Sequence, residues 1–94
     1  MFIVYVLKCS DDRYYVGKTT RSIEDRYQEH CNGTGSEWTR IYRPIKIIEH
    51  EQTDNVHSES NKTLDYMKIY GIDNVGGDYS KVRRGAAYSS ITFF

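Results

Sequence analysis

Apolar positions alternate tightly at the start of the chain and then spread to a longer period. Residues 2–8 are rich in Ile, Val and Tyr, and residues 14–18 form a second short run of the same kind. Branched and aromatic side chains suit the pleated surface of a strand, and the Ser10-Asp11-Asp12 cluster between the runs has turn chemistry. The pair predicts an antiparallel hairpin with its tyrosine-bearing strands side by side. From about residue 22 to 32 the period becomes helical: Ser22 is an N-cap, Asp25 stands at the capping-box position, and Gly33 after Asn32 is a C-cap. At ~100° per residue, Ile23, Tyr27, His30 and Cys31 share one face, with Arg26 at its border.

Residues 33–44 carry Gly33, Gly35 and Pro44 as breakers around Trp38-Thr39-Arg40 and read as a loop or one irregular helical turn. Residues 45–51, apolar in their middle, predict a third strand. Thr53 or Asp54 can cap a second, longer helix that stops at Gly71. Its apolar arc holds Val56, Thr63, Leu64, Met67 and Tyr70, and Glu59 projects inside that arc. The region after Gly71 reads as either an added strand or a loose end. The expected fold is α/β of the α+β kind, a small central three-stranded antiparallel sheet flanked by helices. One domain spans residues 1–80, with an unassigned tail at 81–94.

A chain of 94 residues has room for one compact domain. Thirteen basic residues balance thirteen acidic ones, so any nucleic-acid binding must come from a local basic surface. Cys9 and Cys31 are too few for a disulfide framework and lack metal-ligand spacing, which points to reduced thiols and an intracellular location. The apolar run at residues 1–7 is followed by Lys8 and two aspartates without a cleavage site. No stretch approaches the ~20 apolar residues that span a bilayer, so a soluble protein without a membrane partner is expected. Nine tyrosines outnumber three phenylalanines; the extra hydroxyls either need polar partners in the core or do chemistry.

Glu59 is costly among apolar residues unless it is paired, protonated or bound to a metal. Either its stem covers apolar surface while the carboxylate reaches water, or it is an oxygen ligand for Mg²⁺ or Mn²⁺. Arg26 is likewise a surface residue with a packed stem or a planar fork for phosphate oxygens. Tyr5 and Tyr15 are packing residues or, near a cation such as Lys18, phenols able to orient or deprotonate a water.

Taken in order, these positions resemble the GIY-YIG nuclease family. Ile3-Val4-Tyr5 and Tyr15-Val16-Gly17 correspond to the two halves of the family name. Residues 23–30 look like its first helix, with the catalytic arginine at Arg26 and a frequent histidine at His30, and the glutamate of the second helix falls on Glu59. Trp38-Thr39-Arg40 and Arg43-Pro44 resemble the segment before the third strand. Tyr66-Met67, residues 70–75 and Gly76-Gly77 resemble a subset of stand-alone members. The similarity spans about residues 3 to 80. Ile3 stands where the family has its leading glycine, and the arginine that similar members carry before the paired glycines is missing.

The resemblance implies hydrolysis of the DNA backbone with one divalent ion, Mg²⁺ or Mn²⁺, held by Glu59. Arg26 would neutralise charge at phosphorus, and Tyr5 and Tyr15 would position and activate water, with the general base open between them. Lys18 would sit near a phenol, His30 would be an orienting group or a core-edge histidine, and Asn74 a supporting residue or a turn residue. No nucleotide cofactor is implied, and no oligomeric state or pathway follows. DNA would meet Lys18, Arg21, Arg26, Arg40 and Arg43, with Lys81, Arg83 and Arg84 as further candidates. Trp38 would stack on a base or pack against the longer helix. The rival is a catalytically inactive nucleic-acid-binding or protein-interaction module of the same fold; the presence of both tyrosines, Arg26 and Glu59 argues against it.

Overall fold

The hairpin forms because its two strands offer apolar side chains to both faces. In the computed structural model, which describes residues 1–77, β1 (Phe2–Cys9) and β2 (Arg13–Thr19) pair antiparallel with Val6 opposite Val16. The turn at Ser10–Asp12 puts Asp11 and Asp12 at φ near +60°, a left-handed conformation that short polar side chains tolerate. Alternation then divides the core. Tyr5, Leu7, Cys9 and Tyr15 pack with Ile23 on one face, while Val4, Val6, Tyr14 and Val16 pack with Met67, Ile72 and Val75 on the other. Lys81, Arg83, Arg84 and the rest of the 81–94 tail lie outside the described residues.

On the first face lies α1 (Ile23–Cys31), whose cap Ser22 accepts the Asp25 backbone N–H at 3.1 Å. Burial of Ile23 and His30 follows the face read from their spacing. The segment after it contains a short helix, α2 (Glu37–Ile41), started by the Ser36 side chain. The third strand, β3 (Pro44–Thr53), runs past the predicted 45–51 because its pairing with β1 continues until Thr53 faces Phe2. Thr53 and Asp54 are therefore not helix caps. Thr53 Oγ1 accepts the Asn55 N–H, Asn55 Oδ1 accepts the His57 N–H, and α3 begins only at Ser58 (Ser58–Tyr70). Val56, assigned by periodicity to the apolar arc, falls in that turn and is 70% exposed. Thr63 and Met67 hold the buried face of α3, which ends at Gly71 with φ 100°. No described helix is long and apolar enough to cross a membrane.

The sheet has four strands, and the expectation of three antiparallel strands is corrected here. Val75–Gly77 forms β4, which pairs parallel with β2, giving the order β3-β1-β2-β4. A Val-Gly-Gly strand has no alternation from which to read it. Its glycines are what let it dock: a Cβ on Gly76 would stand 2.3 Å from the Trp38 indole, and one on Gly77 2.6 Å from the Val16 carbonyl oxygen. Trp38 thus lies against β4, with the Tyr42 ring 4.9 Å away. Gly76→Ala is expected to cost about 1–3 kcal/mol through overpacking, seen as a lower urea midpoint at unchanged slope. A midpoint equal to that of the unaltered protein would mean that Trp38 and β4 do not meet this closely.

Candidate active site

The site is built outward from one phenol. Tyr5 lies on a central strand with no exposed surface, so its hydroxyl must find partners inside the protein. α1 supplies both. Arg26 and His30 are one helical turn apart and project from the same side; Arg26 Nε donates to the Tyr5 oxygen at 3.1 Å, and His30 Nε2 lies 2.8 Å from it. A guanidinium can only donate, so the phenol directs its own proton to His30 Nε2. Donor–acceptor complementarity then puts the imidazole proton on Nδ1, 2.7 Å from Thr39 Oγ1. Ser36 completes the chain, its Oγ 2.9 Å from Thr39 Oγ1 and accepting the Thr39 N–H at 3.1 Å. Gly35 leaves room for this network, since a Cβ there would clash with the His30 ring at 2.4 Å.

Burial, reinforced by the positive charge of Arg26, pushes the His30 pKa down to about 4. Burial, and then the nearby Tyr15, raise the pKa of Tyr5, with Arg26 pulling the other way. At neutral pH the pair is a protonated phenol against a neutral imidazole. Tyr15 packs beside them, its ring 6.4 Å from Tyr5 and 4.9 Å from His30. Gly17 makes room for both phenols: a Cβ there would stand 2.6 Å from the Tyr5 hydroxyl and 2.8 Å from the Tyr15 ring.

Arg26 is engaged at all three guanidinium nitrogens. Besides Tyr5, it donates from Nη1 to Glu29 Oε1 at 2.7 Å and from Nη2 to the Gly35 carbonyl at 3.2 Å. The same Glu29 oxygen accepts from Arg21 Nη2 at 2.5 Å. These hydrogen bonds, from Arg21 and then Arg26, bring the Glu29 carboxyl pKa down to about 2. Glu29, Gly35 and the Thr39 hydroxyl received no role from the sequence. Glu29 had a legible signal, three residues from Arg26 on one helix; the other two become meaningful only once His30 is placed.

Glu59 stands in the first turn of α3 with its side chain 13% exposed, and Lys18 Nζ is 4.0 Å from its Oε1. The ammonium also lies 5.2 Å from the centre of the Phe2 ring. The last described pair between β4 and β2 is Gly77 with Val16, and the side-chain-free Gly17 follows in β2. The Glu59 charge reaches the Tyr5 phenol electrostatically, as a smaller contribution to its raised pKa than burial or Tyr15. A cleft of about 390 Å³ opens at this end of the hairpin, lined by Phe2, Lys18, Thr19, Thr20, Arg21 and Arg26. The other candidates have partners elsewhere: Arg40 pairs with Glu37 at 2.9 Å, and Arg43 donates to the Cys31 carbonyl at 2.5 Å. The Asn74 amide donates to the Tyr70 carbonyl at 2.7 Å, at the end of α3.

A family model described as the GIY-YIG catalytic domain matches residues 1–63. The chain belongs to the GIY-YIG family. This is a nuclease superfamily, and the matched span includes Tyr5, Tyr15, Arg26, His30 and Glu59. Among curated proteins, a UPF0213 protein of Clostridium perfringens is 40% identical over 69 residues, covering 73% of each chain. One from Staphylococcus epidermidis is 33% identical over 67 residues, 71% of this chain and 79% of that relative. One from Listeria monocytogenes is 45% identical over 58 residues, 62% of this chain and 63% of its own length. Their shared designation states no activity. No solved structure matches the chain significantly.

The buried histidine gives this GIY-YIG domain a pH signature. Its pKa is lower in the folded protein than in the unfolded chain, so the unfolded chain binds the extra proton between about pH 6.5 and 4. His30 therefore contributes stability above about pH 6.5 that drains away as pH falls through that window, by on the order of 3 kcal/mol. Urea titrations at successive pH values are expected to show this decline, with a flatter profile for His30→Gln. Equal slopes in the two proteins would contradict a buried neutral imidazole.

Proposed function

We propose that this GIY-YIG domain is an endonuclease that hydrolyses DNA phosphodiester bonds with the help of one divalent cation. The observation that carries the reading is the fixed arginine. The Tyr5 phenol and the Gly35 carbonyl orient the Arg26 guanidinium at the wall of the cleft that Lys18 also lines. A planar donor held in advance suits charge that develops on phosphate oxygens during attack.

The residues present suit a hard cation of low protein coordination. Among the described residues no group of three or more His, Cys, Asp or Glu side chains could hold an ion. A single carboxylate, leaving water and substrate oxygens to fill the shell, matches the habit of Mg²⁺ at phosphate sites. Glu59 would hold the Mg²⁺ or Mn²⁺ ion, which supplies Lewis-acid stabilisation of the phosphate and the leaving oxygen.

The protein's own groups divide the remaining work. Arg26 donates to the phosphate. Tyr5 accepts from Arg26 and directs its O–H toward His30, so it holds the guanidinium in place, and His30 and Thr39 fix Tyr5 in turn. Tyr15 is the phenol assigned to orient the attacking water, whose oxygen forms the new bond to phosphorus as the bond to the leaving oxygen breaks; the water's proton is lost to solvent and the leaving oxygen takes one up from it. Lys18 Nζ lies 4.0 Å from Glu59 Oε1, a second positive group beside the carboxylate that would hold the ion. Arg21 extends the basic wall along the backbone of a DNA partner, and Arg40 and Arg43 offer more distant, salt-sensitive contacts. An intracellular, soluble setting accords with such a substrate.

The purified protein is expected to cut at least one of supercoiled, linear or branched DNA in Mg²⁺ or Mn²⁺ and to stop in excess EDTA. Glu59→Gln and Tyr15→Phe should each slow cutting by about 100-fold or more while leaving DNA binding within about twofold. A wild-type protein that leaves the whole DNA panel intact with either metal would sink the enzyme reading.

A further inference from the structure

Glu29 is the one partner of Arg26 that the fold does not hold rigidly. The Tyr5 phenol is buried on β1 and the Gly35 acceptor is backbone, whereas the Glu29 carboxylate ends a side chain of α1 that is 33% exposed. Its Oε1 accepts charge-assisted bonds from both Arg21 and Arg26, at 2.5 and 2.7 Å. Arg21 is rooted at the start of the α1 approach, where its backbone N–H bonds to Thr19 Oγ1 at 3.0 Å. Both arginines line the cleft, and one carboxylate already bridges the two cations.

We propose that Glu29 is an internal occupant of a two-arginine phosphate site, and that an incoming phosphate leaves Arg21 and Arg26 bound to itself and Glu29 displaced toward solvent. Carboxylate and phosphate oxygens present the same kind of acceptor to a guanidinium fork, so the exchange replaces one charge-assisted pair with another. Tyr5 and Gly35 keep Arg26 in place while it happens. Glu29 remains ionised across the working pH range, so another anion, rather than a proton, releases it. The identity of that anion as a DNA phosphodiester rests on the nuclease reading above; the exchange itself does not.

The test uses inorganic phosphate as the probe, with calorimetry on the full chain in EDTA and no cleavage step. Glu29→Gln is expected to bind phosphate about tenfold more tightly than the unaltered protein. Glu24→Gln makes the same change of charge at an exposed position of the same helix and should alter binding by less than about twofold. Equal effects of the two variants, or weaker binding by Glu29→Gln, would overturn the proposal. In the unaltered protein, saturating phosphate should shift the side-chain N–H resonances of Arg21 and Arg26 together and move the Glu29 carboxyl carbon resonance. A response from Arg21 alone would overturn it as well. Phosphate exchange without DNA cutting upholds this site and removes the nuclease, and cutting without exchange does the reverse.

Discussion

A buried phenol on a central strand has to satisfy its oxygen within the protein, and the partners it recruits organise the molecule around it. Tyr5 draws Arg26 and His30 from successive turns of α1, and His30 draws Thr39 and Ser36 from the start of α2. Sheet, long loop and two helices are thereby joined through polar contacts inside an otherwise apolar cluster. In such surroundings a single missing partner leaves the others desolvated and unpaired. Three glycines follow as steric corollaries: Gly17 clears the phenols, Gly35 clears the imidazole and Gly76 clears the indole.

The cleft shows why a chain of zero net charge can still present a phosphate site. Opposite charges are arranged as adjacent pairs: Glu29 between two arginines on one wall, Lys18 beside Glu59 at the end of the hairpin. Each pair is partly open to water, where such contacts contribute little to stability and exchange readily. Local geometry, and not total charge, sets the sign of the potential that an approaching ligand meets.

Much of this was legible in the chain itself. Alternation gave away the hairpin because β1 and β2 bury both faces in strict order, and the three- and four-residue spacing of Ile23, Arg26, Tyr27 and His30 identified the inner side of α1. Glu59 was correctly placed near the buried arc of its helix. What escaped reading depended on long-range contact. The start of α3 was misjudged because pairing with β1 carries β3 through Thr53, overriding a local capping preference. β4 has three residues and two glycines, and its existence depends on the Val16 backbone and the Trp38 ring. The apolar run of β3 correctly marked a strand, but which of its residues are covered was not readable locally: Ile47 packs on the tyrosine cluster while Ile45 and Ile48 are exposed.

The β3 edge of the sheet poses a hazard unconnected with nucleic acid. Among the described residues no strand lies beyond β3, and a ten-residue edge offers unpaired backbone groups to any extended chain. Its character opposes such templating. Pro44 opens the strand, its pairing with β1 slips at two places, and Lys46, Glu49 and Glu51 spread charge along it. Lys62 of α3 ties down both glutamates, with Tyr66 also bonded to Glu49. Ionic side chains that do nothing for the cleft thus find a use here as gatekeepers, making the sheet's open margin a poor seed for aggregation.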